Sequence, residues 1–330
     1  MQYTDQRAQA TLASRRDMAD VTFRSLPDAE YFALTTPDGA VLPVYALGGP
    51  AGAPGLLVGH ANGLAAGSYG PWLLELASEL RVFAFDARGH GGSCWPPGPL
   101  DEVFHVDRFA DDLALVADAV KARLRGARLH LAAHSLGAAA ALRLATRAPP
   151  LPWSATLLFE PPIFPAPQSP HFAEAAAKQT PLIERSARRR ARWQSPAAMR
   201  NVLGARGVFQ RFRPDLLTAH CRATLRPLDK GGFVLACPPA VESMIFKSHR
   251  LADTWQRLPA ISADIHLVSG DPALPDRDWI AALSPEMAAR IPAARLTVLR
   301  YVGHMMIFEE PETCRRMVLD EIQGRGFSHA

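Results

Sequence analysis

Residues 129–145 read LHLAAHSLGAAAALRLA. A short apolar run reaches His134 and Ser135, and the chain then becomes an almost unbroken series of alanines and leucines. The first part has the length and apolar character of a buried strand, the second the composition of a helix. Ala133-His134-Ser135-Leu136-Gly137 has the form small-x-nucleophile-x-small, the pattern of a nucleophile elbow with alanine in the first glycine position. Small flanks are required because a direct strand-to-helix turn brings backbone and helix together. The turn lifts the serine hydroxyl over the N-terminus of the following helix. The plainer reading is an ordinary buried turn, so the rest of the chain must supply what a nucleophile needs.

Working outward, short apolar runs alternate with helical patterns. GLLVGH (55–60) precedes PWLLELASEL (71–80), and RVFAFD (81–86) precedes DRFADDLALVADAVKARL (107–124). In the latter, Phe109, Leu113, Val116 and Val120 fall on one helical face. ATLLFE (155–160) follows the elbow helix, and DIHLVSG (264–270), RLTVLR (295–300) and PETCRRMVLDEIQ (311–323) resume the alternation later. YFALTTPDGAVLPVYAL (31–47) reads as a hairpin about Pro37-Asp38-Gly39. This pattern predicts an α/β chain with a mostly parallel central sheet covered by helices. Between 161 and 170 there are five prolines in ten residues, and from 171 to about 250 the chain is helix-like, Arg-rich and without a clear apolar strand. The expected organisation is an N-terminal extension over 1–28, a first core part over 29–163, an inserted helical cap over 164–251 and a second core part over 252–330. A cap in that place would cover the C-terminal edge of the sheet, where open α/β sheets bind ligands.

Composition narrows the function classes. The 330 residues are 48% hydrophobic and 21% charged, with a formal net charge of +4. The arginines cluster in one region without interleaved aromatics, which speaks against nucleic-acid binding. Cys94, Cys221, Cys237 and Cys314 form no CxxC pair and no disulfide framework, so a cytoplasmic location is expected. No stretch approaches 18 apolar residues, so stable membrane insertion is not expected. No metal or cofactor is expected. FAFDARGHGG (83–92) has glycines after a strand, but it runs into SCWPPGP and opens no helix, unlike a dinucleotide loop. Asp86 and Arg88 are read as braces of that loop, and His90 and His134 as wall residues. FVLACPPAVESMIF (233–246) could line an acyl pocket or simply pack.

A serine at its free pKa needs a base. His304, in LRYVGHMMIFEEPE (299–312), follows the last apolar run after Gly303 and precedes the last helix. The base needs an acceptor on its other ring nitrogen. Asp271, directly after the penultimate strand in HLVSGDPALPD (266–276), is the first choice, with Asp276, Asp278 and Glu160 as rivals. His60-Ala61-Asn62-Gly63 lies just past an early strand and offers a loop amide, assigned to Asn62, that could join the Leu136 amide as an oxyanion hole.

These motifs, GHANG (59–63), FDARGHGGS (85–93), HSLG (134–137), SGDPALP (269–275) and VGHMMIFEEPE (302–312), resemble those of the α/β-hydrolase superfamily, in its cap-bearing branch, in order and spacing. The resemblance spans roughly residues 31–163 and 252–323. It implies the α/β-hydrolase fold and a Ser135…Asp271…His304 triad in that family's chain order. Two departures are visible: the family usually has Gly-x-x-Asp where Asp271 follows Gly270 directly, and His-Gly is more usual than His-Ala-Asn-Gly. The expected activity is a serine esterase-like hydrolase, cofactor-independent, acting on a small to medium acyl substrate. A carbon–carbon bond hydrolase, perhydrolase, lactonase or lyase would use the same triad, and a non-catalytic ligand-binding protein would have no need of it. Epoxide hydrolases and dehalogenases of this fold need an aspartate nucleophile. Nine arginines lie between 185 and 213 with no acidic residue among them, and Arg185, Arg188 or Arg189, and Arg192 share a helical face. That face is either solvated or attractive to an anionic substrate. The oligomeric state is not legible.

Overall fold

The computed structural model describes residues 23–147, 150–274 and 278–325. Eleven strands are described: β1 (Glu30–Thr35), β2 (Val41–Gly48), β3 (Gly55–Gly59), β4 (Arg81–Phe85), β5 (Leu129–His134), β6 (Thr156–Phe159), β7 (Arg192–Trp193), β8 (Leu225–Pro227), β9 (Phe233–Leu235), β10 (Ile265–Ser269) and β11 (Ala294–Val298). Eight form one sheet in the order β1-β2-β4-β3-β5-β6-β10-β11. The hairpin β1/β2 and the β2/β4 pair are antiparallel; from β4 onward every neighbour is parallel.

The inner parallel strands, β3 to β6 and β10, are buried on both faces, which is why they read as largely apolar runs rather than alternating ones; β11, at the edge, is only half-buried. Leu57, Phe83, Phe85, Leu129 and Leu131 point to one side, where they pack with Phe109, Leu113, Val116 and Val120 of the helix Val106–Arg123. Leu56, Val58, Val82, Ala84 and Ala132 point to the other, toward Trp72, Leu76, Phe308 and Met317. Alternation of side chains across each strand produces the two cores.

Between β6 and β10 the chain forms the helices Phe172–Ala187, Pro196–Leu203, Pro214–Ala223 and Pro239–Ser248. It also forms a three-stranded antiparallel sheet, β7-β9-β8, which a purely helical reading of this segment had not anticipated. Its strands are two or three residues long and include Pro227, too short for periodicity to register. The segment is tied to the sheet's loops: buried Arg226 donates to the carbonyls of Gly91 and Ser93, and Arg213 N–H donates to Phe308 O at 2.8 Å.

Most of the extension expected over 1–28 lies outside the described residues. Its end is firmly attached. Buried Ser25 receives the Gly67 amide at 3.1 Å and donates to Asp86 Oδ1 at 2.8 Å, while its own N–H donates to Tyr45 Oη. Asp86 also accepts from Tyr45, Ala66 N–H and Gly92 N–H. Arg88 makes a bidentate pair with Asp112 and a further contact with Asp38. Both residues are loop braces, as the motif suggested.

Candidate active site

Ser135 stands between β5 and the helix Leu136–Ala145 with φ 51° and ψ −108°, a conformation costly for a residue with a Cβ. The surroundings enforce it. The Ser135 amide donates to Phe159 O at 2.9 Å, and the Gly137 amide to His60 O at 3.1 Å. A Cβ on Gly137 would stand 2.8 Å from the backbone carbon of Gly59, so this glycine is required by the close approach of helix and strand β3. The sharp turn leaves Ser135 Oγ 3.1 Å from His304 Nε2.

His304 Nδ1 lies 2.7 Å from Oε2 of Glu160, whose side chain is fully buried. This corrects the expectation for Asp271. The Asp271 carboxylate sits at the surface, accepting from Tyr301 N–H at 2.9 Å and Ala273 N–H at 2.8 Å, which hold its pKa below the usual carboxylate range. Glu160 follows β6 immediately, with φ 43°. Its other oxygen receives the Gly270 amide at 2.6 Å and the Ser269 hydroxyl at 3.3 Å. A Cβ on Gly270 would come within 3.0 Å of that oxygen. The end of β10, where the family's acid usually follows, is thus a cradle for a carboxylate arriving from β6. Asp276 lies outside the described residues. Asp278 caps the helix Trp279–Arg290 by accepting from Trp279 N–H, and it lines the cavity beside Ser135.

Burial alone would lower the His304 pKa. The Glu160 hydrogen bond, then the charges of Glu160, Asp278 and Glu309, outweigh it and raise the pKa above the ordinary imidazole value.

The loop after β3 uses most of its amides internally. Ala61 N–H donates to Tyr69 Oη at 3.1 Å, Gly63 N–H to His90 Nε2 at 3.0 Å, and Leu64 N–H to Ala61 O at 3.2 Å. Among the described residues the Asn62 amide has no such partner. Its side chain reaches across to Glu242 O at 3.0 Å. Leu136 is the first residue of its helix, so its N–H precedes the helical ladder.

One relay lay outside the sequence reading. Tyr69 Oη, holding the Ala61 amide, lies 2.7 Å from His134 Nδ1, and His134 Nε2 lies 2.9 Å from the His304 carbonyl. A carbonyl only accepts, so Nε2 carries the proton and Nδ1 accepts from Tyr69. Burial pushes the His134 pKa down to about 3, so the ring is neutral. His134 was expected as a wall residue, but it is fully buried and does not line the cavity; its ring instead joins the loop of Asn62 to that of His304.

Ser135 and His304 open into a cavity of ≈ 240 Å³. Apolar walls come from Leu182, Val208, Phe209, Phe246, Trp279 and Ile280. Polar lining comes from Asn62, Gln179, Arg189, Glu242 and Asp278, together with His220 and His249. Burial drives the two histidines down to about 3 and about 4 respectively. The expected helical face of arginines does not form, because the helix ends at Ala187 and Arg192 lies in β7; Arg185, Arg188 and Arg192 are exposed to solvent, while Arg189 turns to the cavity and pairs with Glu242 at 2.5 Å. Among the described residues no group of three or more His, Cys, Asp or Glu could hold a metal ion. None of their helices is long and apolar enough to cross a membrane.

Comparison with known proteins agrees with this architecture. A model of the alpha/beta hydrolase family matches residues 56–316. Among solved structures, E-2-(acetamidomethylene)succinate hydrolase is similar with a TM-score of 0.69 at 19% identity, over 89% of this chain and 100% of that one. A thioesterase domain from the curacin biosynthetic pathway gives 0.64 at 20% identity, over 88% and 99%. A thermophilic esterase from Thermogutta terrifontis gives 0.62 at 22% identity, over 91% and 100%. At these identities the likeness is one of fold.

Proposed function

The chain belongs to the alpha/beta hydrolase family, and from its site we propose a serine hydrolase that cleaves an ester or similar acyl bond through an acyl-enzyme. The observation that carries this reading is the unbroken line Ser135 Oγ, His304 Nε2, His304 Nδ1, Glu160 Oε2, with steps of 3.1 Å and 2.7 Å. A binding pocket has no use for a serine forced to positive φ and aligned with a buried acid and base.

In this reading Ser135 Oγ attacks the substrate carbonyl as His304 Nε2 takes its proton. The carbonyl π bond opens to an oxyanion, which the Asn62 and Leu136 amides receive. Glu160 keeps the Nδ1 proton in place and stabilises the imidazolium without taking the proton. His304 then protonates the leaving group, and the carbonyl re-forms as the acyl-enzyme. Water then attacks the acyl carbonyl as His304 takes its proton; the bond between the acyl carbon and Ser135 Oγ breaks, releasing the acid, and His304 returns the proton to Ser135 Oγ. The segment between β6 and β10 serves as a cap, since it supplies Gln179, Leu182, Phe209, Glu242 and Phe246 to the cavity wall. The cavity suits a small acyl group.

The test is treatment with a fluorophosphonate, followed by intact mass and peptide mapping, on wild type and Ser135→Ala. The expected result is one adduct, on Ser135, absent from the variant, with release of acid from short-chain esters by wild type only. Folded protein that takes no adduct overturns the reading.

A further inference from the structure

The charges that line the cavity do not balance, and this points to the substrate. Arg189 and Glu242 neutralise each other at 2.5 Å, and among the described residues no other arginine or lysine lines the cavity. His220 and His249 stand in the wall as neutral rings, 2% and 4% exposed, held uncharged by burial. His304 is matched by Glu160, behind it and out of the cavity. Asp278 remains. One oxygen caps its own helix through Trp279 N–H at 2.7 Å, and among the described residues no basic side chain forms an ion pair with it. Two basic side chains act on it by charge: His304, first, which is paired with Glu160 at 2.7 Å, and Lys178, which is engaged with Glu174 at 3.2 Å. Asp278 is partly exposed, so its free oxygen is open to the cavity. A carboxylate drawn into an apolar wall without a cation is costly unless the bound state supplies one.

We propose that Asp278 is a specificity-determining residue that pairs with an ammonium group on the substrate, making the preferred substrates small amino-substituted esters or related acyl compounds. The proposal rests on the serine hydrolase reading. It reverses the suggestion of the arginine face: the arginines that made that face look attractive to anions are directed to solvent, and the one at the cavity is matched. Burial holds the Asp278 carboxyl above its usual range, a bias that a bound ammonium would reverse.

The test compares kcat/KM for pairs of equal shape: the ethyl esters of 3-aminopropanoate and butanoate, and of 4-aminobutanoate and pentanoate, with monoethyl succinate as the anionic member. Wild type is expected to favour at least one amino ester over its neutral partner tenfold or more, and to turn over monoethyl succinate least well. Asp278→Asn keeps a helix-capping oxygen but removes the charge, and is expected to collapse that ratio toward one. Asp278→Glu, which keeps the charge, is expected to retain part of it. Ser135 labelling by the fluorophosphonate is measured on each protein. Labelled proteins with no amino preference in wild type, with a ratio that Asp278→Asn leaves unchanged, or with monoethyl succinate as the best substrate overturn the proposal alone. Folded wild type that takes no label overturns the hydrolase reading and this proposal with it.

Discussion

Gly270 N–H donates to Glu160 Oε1 at 2.6 Å, so the end of one strand clamps the acid delivered by its neighbour. β6 and β10 are adjacent and parallel in the sheet, and Glu160 N–H in turn donates to Val268 O at 2.9 Å. This reciprocal pairing fixes the carboxylate against His304 with no freedom to rotate away. The arrangement separates two carboxylates that sequence alone places in competition.

Substitution should therefore tell them apart. Glu160→Gln is expected to lower kcat/KM by about 10³–10⁴-fold, the scale seen when a triad acid loses its charge. Asp271→Asn should change it by only about twofold, since exposed positions away from such networks shift energies by about 0.5 kcal/mol. Ester hydrolysis by the two purified variants decides it. A severe loss in Asp271→Asn with a mild one in Glu160→Gln would reinstate Asp271.

Much of this was legible in the chain, and what was not has a physical cause. The strands of the main sheet announced themselves because burial on both faces makes GLLVG and LHLAA continuously apolar. Ser135 and His304 were legible because a turn, a small neighbour and a strand end are all written locally. The carboxylate that faces His304 was named only as a rival, because two neighbouring strand ends each offer one and tertiary packing decides which reaches Nδ1. A signal did exist: Glu160 directly follows the buried strand TLLF and precedes two prolines, a strange place for a charge without a partner. Tyr69 joins the site only through tertiary packing, 66 residues from Ser135, and no local pattern marks it; Asp278 was marked only as a rival acid, and its place in the cavity wall, 143 residues from Ser135, is likewise set by packing.

The pH profile follows from the sign of the His304 shift. Its raised pKa means that the unprotonated base is lost on acidification at a higher pH than for a free imidazole. The acid limb of kcat/KM should then have its midpoint above the ordinary imidazole value of 6.5. In Glu160→Gln the largest raising influence disappears while burial remains, so the residual activity should show its midpoint at lower pH. Asp278→Asn should move the limb the same way by less. A midpoint that stays put in Glu160→Gln would show that Glu160 does not govern the base.

Removing one hydroxyl should disturb both halves of the site. In Tyr69→Phe the Ala61 amide and His134 Nδ1 lose their shared partner, leaving two buried polar groups unsatisfied at about 1–3 kcal/mol each. Denaturant midpoints should fall accordingly. Because Tyr69 positions rather than reacts, kcat should drop by about tenfold, corresponding to about 1.4 kcal/mol of barrier, with KM little changed. An unchanged kcat in a destabilised variant would reduce Tyr69 to a structural part.

The elbow offers the most direct test of how sterics make the nucleophile. In Gly137→Ala the new methyl would stand 2.8 Å and 2.9 Å from two backbone atoms of Gly59, with 3.0 Å to its carbonyl oxygen. No flexible side chain is there to yield, so helix and strand must part, at a cost of about 1–3 kcal/mol typical of overpacking. The strain falls on the peptide that sets the Leu136 amide and the direction of Ser135 Oγ, so fluorophosphonate labelling should slow more than the stability loss alone would produce. Urea titration and labelling rates on the same preparation separate the two effects. A stable Gly137→Ala protein that labels at the wild-type rate would mean that the approach of Gly59 and Gly137 is looser than 2.8 Å implies, and that the serine is held by its hydrogen bond to Phe159 instead.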